Sequence, residues 1–559
     1  MSIYPHSTIS KSLLISLAIL SLVYVAFGMY LEDNEAIVAA VNYGLFGRFG
    51  PEQYASDYQT FLLPVLNYLS LVFRSVPVYG IWKFLYGFLA LTSIVYYLIN
   101  ALEVHKRGTV FNITIGVLLI LIFTIDSFFY SHCVRHSILL GFAALAINWQ
   151  NIDSKGRASK FAIAIFILSV IARMHSAVII LCIFIAFHVL RGLSPIAVLR
   201  HHAAMIVIGC GFVFAYQVYG EYNTNFGKYI EANYEYAIIE KASLHPIGTM
   251  KTKEDSVKYQ ALAKFFITDS IEFDKSFFNR AVNLDYHQKL SWQTLNLAPI
   301  FHEFASKLHR LAYMPWIFVF LAIVIFIGTD SLYQLRQSFW LLFLSFGAMA
   351  ALLFALVDEI KIRFFSPYVG MVLFLLFMTY LPGFLARAGK NTKRISLLIL
   401  IFILGLSVRD VYGYAMIERL REEKIKDTSA RLQAYFEQHP TLTFMGADIP
   451  FRADLFFRPS PDLYSHMASF DGAYLIYFSY SHDRFDHLFS VSPHDYRGLI
   501  SLFEHRKDIR FYALPQRLEL VRLYFRTIYH VDLVFERESP APLLHLNGTM
   551  YSVTVNRNP

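Results

Sequence analysis

Three carboxylates, Glu32, Asp33 and Glu35, fall within four residues, directly after the apolar run Leu13 to Tyr30. Cations stand in short turns between later apolar runs: Arg135 and His136 in "HCVRHS", Arg173 and His175 in "ARMHS", and Arg363 in "DEIKIRFF" behind Asp358, Glu359 and Lys361. A carboxylate can take the proton of a hydroxyl as a general base. Cations can bind a phosphate and stabilise the negative charge that grows on it as it leaves. These residue types suit transfer away from a phosphate leaving group, provided one end of the molecule gathers them.

The elements that must do the gathering are apolar. Of 559 residues, 56% are hydrophobic and only 16% charged, which marks an α-helical polytopic membrane protein. Ionisable groups at membrane depth cost about 2.5–3.5 kcal/mol each on insertion scales, so the cations above are functional candidates and not filler. The three cysteines, Cys133, Cys182 and Cys210, are too scattered for a disulfide scaffold or a zinc site. No small-residue cleavage site precedes the acids, so the first run reads as a retained span.

About eleven transmembrane helices are expected, over 11–30, 79–102, 110–130, 134–149, 159–173, 176–190, 203–219, 312–328, 337–357, 364–382 and 395–413. With the N-terminus in the cytoplasm, loops 103–109, 150–158, 191–202, 329–336 and 383–394 lie inside. They hold Lys106, Arg107, Lys155, Arg157, Arg387, Lys390, Lys393 and Arg394 among others, against the acids Glu103, Asp153 and Asp330. This asymmetry obeys the positive-inside rule. The run 60–73 is short and contains Pro64 and Asn67, so it reads as an interfacial or re-entrant helix. Counting it as a span would put the basic loops outside.

A transmembrane domain therefore covers 1–413, with a first extracytoplasmic loop at 31–78 and a large one at 220–311. In the large loop, "KTKEDSVKYQALAKFF" and "FHEFASKLHRLAY" read as amphipathic helices lying on the surface. Residues 414–559 open with a charged helix and continue into strand-like runs, "TLTFMG", "AYLIYFSY", "IRFYAL", "VDLVFE" and "MYSVTV", between helical stretches. They predict an extracytoplasmic α/β domain. In "SHDRFDH", His482, Asp483, Asp486 and His487 follow no zinc spacing and read as a surface loop, and "RHH" at 200–202 reads as a cytoplasmic anchor. Neither a GxxxxGK[ST] phosphate loop, a GxGxxG run nor an Asp-x-Asp pair occurs, so ATP-driven transport, dinucleotide chemistry and nucleotide-sugar donors lack support. The formal charge of +8 belongs to the short loops and calls for no nucleic acid.

The layout resembles the GT-C superfamily of integral-membrane glycosyltransferases. The stretch "LEDNEAIVAAVNYGLFGRFGPEQYASDYQTFLLPVLNYL" is similar to that family's first extracytoplasmic loop: acids first, a helix, a turn with Gly44, Gly47, Gly50 and Pro51, then an apolar interfacial helix. The resemblance implies a polyprenyl-phosphate-linked sugar donor, a glycan, lipid or protein acceptor, contact with membrane lipids and inversion at the anomeric carbon. It places the base on Asp33, with Glu32 second and Glu35 third, and the lipid phosphate against Arg135, His136, Arg173, His175 and Arg363. No metal ligands are assigned; the one cofactor left open is a divalent cation. The location implied is a bacterial inner membrane with the C-terminus in the periplasm. Two other functions fit membrane charges of this kind, an O-antigen or exopolysaccharide polymerase that depends on its arginines, and a flippase or transporter for a lipid-linked glycan. For each residue the plainer role is a hydrated cap, a snorkelling anchor or a solvated ion pair.

Overall fold

The computed structural model describes residues 5–31, 62–73, 76–104, 110–150, 159–190, 193–222, 252–263, 269, 272, 312–329, 339–340, 343, 362–446, 467–469, 485–492, 495–538 and 549–557. Helix α1 (Pro5–Phe27) leads through Gly28 into the two-residue strand β1 (Tyr30–Leu31). Gly28 has φ +81°, the left-handed region that turns the chain out of the helix, and a Cβ there would lie 2.9 Å from the Tyr30 ring. Next come α2 (Leu63–Val72), α3 (Val78–Val104), α4 (Val110–Phe129), β2 (Tyr130–Ser131), α5 (Cys133–Gln150) and α6 (Lys160–Leu190). Then follow α7 (Pro195–His201), α8 (Ala203–Tyr222), α9 (Lys253–Ala263), α10 (Met314–Gly328), α11 (Ile362–Arg387) and α12 (Lys390–Gln438).

By length and composition alone six helices among the described residues could cross a membrane, α6 counted among them as if unbroken, and the bent pair α7 and α8, which meet at 69°, makes a seventh. The expected eleven are not all there as independent crossings. The run 312–328 forms only the 15-residue α10, and most of 337–357 lies outside the described residues. The run 60–73 forms α2, ten residues and about 15 Å long, too short to cross. It buries Leu66 and Asn67 and exposes Val65, Tyr68 and Val72.

The runs 159–173 and 176–190 form one 31-residue helix, α6, broken at Arg173, whose backbone is extended (φ −163°, ψ 104°). The break folds the helix back on itself. The Ser159 N–H, just ahead of α6, donates to Asn148 Oδ1 at 3.1 Å, while His188 near its far end stacks on Trp149 with centroids 3.7 Å apart. A straight helix would hold residues 159 and 188 about 44 Å apart, not beside the same end of α5. The two halves, about 20 and 26 Å long, flank α5 and fall short of a ~30 Å hydrocarbon core. A Cβ on Gly141 of α5 would meet Ser169 Oγ at 2.9 Å and Ile180 Cγ2 at 2.7 Å, one atom from each half. So enclosed, α5 is buried from Cys133 to Asn148.

Helices α10 and α11 pack at their C-terminal ends through glycine. A Cβ on Gly383 would lie 2.4 Å from the Gly328 carbonyl oxygen, a backbone atom that cannot swing aside. Gly383→Ala is expected to destabilise the protein by about 1–3 kcal/mol, whereas Gly211→Ala, where a Cβ meets nothing within 4 Å, gains helix propensity worth about 1 kcal/mol or less. Melting curves in detergent check this, and shifts of the same sign would overturn the packing argument.

The final span does not stop at 413. Helix α12 runs unbroken for 49 residues, about 74 Å, its charged half carrying the i,i+4 pairs Lys426–Glu422 and Arg431–Asp427. It delivers the chain to a five-stranded mixed sheet built from β3 (Thr443–Gly446), β4 (Met467–Ser469), β5 (Ile509–Ala513), β6 (Asp532–Arg537) and β7 (Thr549–Asn556), in the order β4-β3-β5-β7-β6. Strand β3 is parallel to β4 and β5; β7 is antiparallel to β5 and β6. Helices α13 (Tyr496–His505) and α14 (Pro515–Ile528) flank β5 in sequence, the first capped by Asp495, whose carboxylate accepts from the Gly498 N–H at 2.9 Å. The run "AYLIYFSY" lies outside the described residues.

The large loop is not simply laid on a surface. Helix α9, from "KTKEDSVKYQALAKFF", buries Val257 and Ala261 in the core of the C-terminal domain. Beyond it Asp269, also buried, accepts from the Tyr524 hydroxyl at 3.0 Å and from the Tyr529 hydroxyl. Burial first, then this carboxylate, push both phenols above their ordinary range. An amphipathic pattern fixes that one face is buried, not what buries it; here a protein surface does. The partner run "FHEFASKLHRLAY" lies almost wholly outside the described residues.

Candidate functional site

The site begins with a two-residue parallel ladder in which Tyr30 pairs with Tyr130 and Leu31 with Ser131. It joins the exit of α1 to the turn between α4 and α5. So short a ladder is not self-sustaining; side chains around it supply the anchorage. Tyr30 packs edge-on against Phe129 at 5.4 Å, and the Tyr130 hydroxyl donates to Glu418 Oε1 of α12 at 3.0 Å. Arg419, next along α12, donates to the Ala26 carbonyl in the last turn of α1 at 2.8 Å.

Arg135 and His136 stand in the first turn of α5, four and five residues past Ser131. The buried His132 accepts from the Val134 N–H through Nδ1 at 3.1 Å and caps that helix. Arg135 is almost fully buried and pairs with Asp126 of α4 at 3.1 Å, and the Ser127 hydroxyl donates to the same carboxylate at 3.3 Å. The pair is charge-neutral, so Arg135 offers less positive charge than its position in the sequence promised.

His136 lines a narrow recess, with room for about one water, beside Leu20, Met29, Lys83, Phe84, Gly87, Phe128 and Ser131. Its Nε2 lies 3.4 Å from where a Cβ on Gly87 would stand. Lys83, one turn before Gly87 on α3, is 1% exposed, with its ammonium 5.3 Å from the Tyr79 ring centroid. Among the described residues His136 Nδ1 and Ser131 Oγ have no hydrogen-bond partner, so the recess sets polar groups among apolar walls.

Arg173 sits at the fold-back of α6, half-buried. Its carbonyl accepts from the Ser137 hydroxyl of α5 at 2.9 Å, two residues beyond Arg135. That contact fixes the fold-back at the same end of the bundle as the ladder. His175 is exposed and meets Tyr216 edge-on at 5.5 Å. Arg363 lies in the first turn of α11; its side chain is outside the described residues. The start of α11 reaches the same end, because the Tyr368 hydroxyl donates to the Ser176 carbonyl at 3.2 Å.

The tertiary structure thus brings together the backbone positions of Arg135, His136, Arg173, His175 and Arg363, and leads the chain into the acidic triplet from Leu31. Glu32, Asp33 and Glu35 themselves lie outside the described residues, as do Asp358, Glu359 and Lys361. Sequence reasoning did not place Lys83, Asp126, Tyr130, Ser131 or Glu418 at this end. Lys83 and Asp126 did signal themselves as ionisable residues inside apolar runs. Chemically, the end offers cations and imidazoles beside the entry to three carboxylates.

At the opposite end "RHH" is more than an anchor. Arg200 is exposed, but His202 is buried against Asn148, with Trp149 6.1 Å away. Among the described residues no group of three or more His, Cys, Asp or Glu could hold a metal ion; His482 and Asp483 are outside them, and Asp486 and His487 are exposed. No protein-family model, curated protein or solved structure matches the chain.

Proposed function

We propose that the chain is an integral-membrane glycosyltransferase of GT-C type that moves a sugar from a polyprenyl-phosphate carrier to a glycan, lipid or protein acceptor. The reading rests foremost on the ladder pairing Leu31 with Ser131, which leads the chain into the acidic triplet beside the turn that carries Arg135 and His136. In this mechanism Asp33 takes the acceptor hydroxyl proton as its oxygen attacks the anomeric carbon. The carbon–oxygen bond to phosphate breaks, with inversion, and polyprenyl phosphate leaves with the bonding electrons. Arg173, His136 and Arg363 meet the growing phosphate charge, and His175 lines the entrance.

The site end is assigned to the extracytoplasmic side, since the opposite end carries Arg200, Arg387, Lys390, Lys393 and Arg394. The same reading places the protein in a bacterial inner membrane with its C-terminal domain in the periplasm. A polymerase would lean on its arginines; the pairing of Arg135 with Asp126 favours the acid-centred reaction instead. A flippase would need charges spread along a path.

Purified protein should melt at a higher temperature with polyprenyl phosphate than with the polyprenol of equal length, because only the phosphate meets the cations. Arg173→Ala should weaken that binding about tenfold or more, the size of a lost charge-assisted hydrogen bond. Equal shifts with phosphate and alcohol would remove the lipid-phosphate site.

A further inference from the structure

We propose that Glu418 is a positioning residue for this site: through Tyr130 it holds the ladder from which the chain enters the acidic triplet. The inference rests on the reading of that triplet as the proton acceptor. Glu418 is 4% exposed, a carboxylate within the apolar stretch Lys390–Lys424 of α12, although its neighbours Ile417, Arg419 and Leu420 are exposed. Its Oε1 accepts from the Tyr130 hydroxyl at 3.0 Å and from Arg421 at 2.7 Å, so the charge is both paired and hydrogen-bonded. Tyr130 belongs to β2, and its ladder partner is Tyr30.

The neighbouring residue completes the clamp. Arg419 donates to the Ala26 carbonyl, one of the acceptors left over at the end of α1, four residues ahead of Tyr30. Two consecutive residues of α12 thus hold the two chain segments that form the ladder, one by its second strand and one by the helix feeding its first. Two paired residues cannot maintain such a register alone. Without the clamp the entry to the triplet drifts, and a displacement of about 1 Å at reacting groups costs on the order of 100-fold in rate.

The test uses the full-length protein in membranes and has a geometric and a catalytic readout. The geometric one is disulfide formation between Leu31→Cys and Ser131→Cys, in a chain with Cys133, Cys182 and Cys210 changed to Ala. Glu418→Ala and Tyr130→Phe should each cut the cross-linked fraction several-fold, and Glu418→Gln, which keeps an acceptor for Tyr130, should restore it. The catalytic readout is sugar transfer from a polyprenyl-phosphate sugar, in chains with native cysteines. There Glu418→Ala should lower kcat about 10- to 100-fold with KM unchanged, and Glu418→Gln should recover most of it. Undiminished cross-linking in Glu418→Ala overturns the clamp. Lost cross-linking with transfer undiminished in both Glu418→Ala and Asp33→Asn retains the clamp but overturns its catalytic purpose, and the failure then belongs to the glycosyl-transfer reading.

Discussion

Asp33→Asn is expected to lower sugar transfer by about 10²–10⁴-fold, the range that a positioned general base supplies, while the amount of protein in the membrane stays at the wild-type level. Asparagine keeps the size and hydrogen-bonding reach of the side chain but cannot accept the acceptor's proton, so the loss should appear in kcat and not in binding of the lipid donor. Glu32→Gln and Glu35→Gln should cost less, since only one carboxylate can accept the proton of the acceptor hydroxyl whose oxygen lies in line behind the anomeric carbon. The assay is product formation from a polyprenyl-phosphate sugar in membranes, with the protein quantified by blot. Undiminished product from Asp33→Asn moves the base to Glu32 or Glu35; undiminished product from all three removes the acid mechanism.

Asp126→Ala carries the largest expected effect on stability, about 3 kcal/mol or more. Removing one partner of a buried ion pair leaves the other charge in an apolar setting, and measured losses run at about 3–5 kcal/mol. The lower end applies because the Asp126 side chain is 27% exposed, whereas that of Arg135 is 6% exposed. The combined change Asp126→Leu with Arg135→Met should recover most of the loss, because it removes both charges and fills their space. Thermal unfolding of the single and double variants gives the coupling directly. Additive losses would mean that the pair contributes nothing as a pair and that the turn between α4 and α5 is held by packing alone.

How far these features were legible follows the range of the forces behind them. Apolar run length acts locally, and it revealed a helix-rich chain with several apolar helices of membrane-crossing length. The turns bearing Arg135 and Arg173 were readable for the same reason, as polar residues bounded by apolar runs. Strands β3, β5, β6 and β7 were visible in their alternation, and β4, three residues long, was too short to leave a pattern. The fold-back at Arg173 was legible as two spans but not as two half-length helices around α5, because their pairing depends on Gly141 fitting between Ser169 and Ile180.

The sequence by itself determined a chain of long apolar helices with acids and cations where the apolar runs stop, since hydropathy sets the extent of each segment. Only the tertiary structure decided which of them are engaged with one another. Asp126 neutralises Arg135, Lys83 and His136 share a recess, and Glu418 reaches across 288 residues of chain to Tyr130. Likewise α9 carries an amphipathic pattern that suits a lipid surface, and it is buried on the C-terminal domain instead. The reason is physical: composition records how much apolar or charged surface each segment must satisfy, whereas the partner that satisfies it is chosen by packing between segments far apart in the chain.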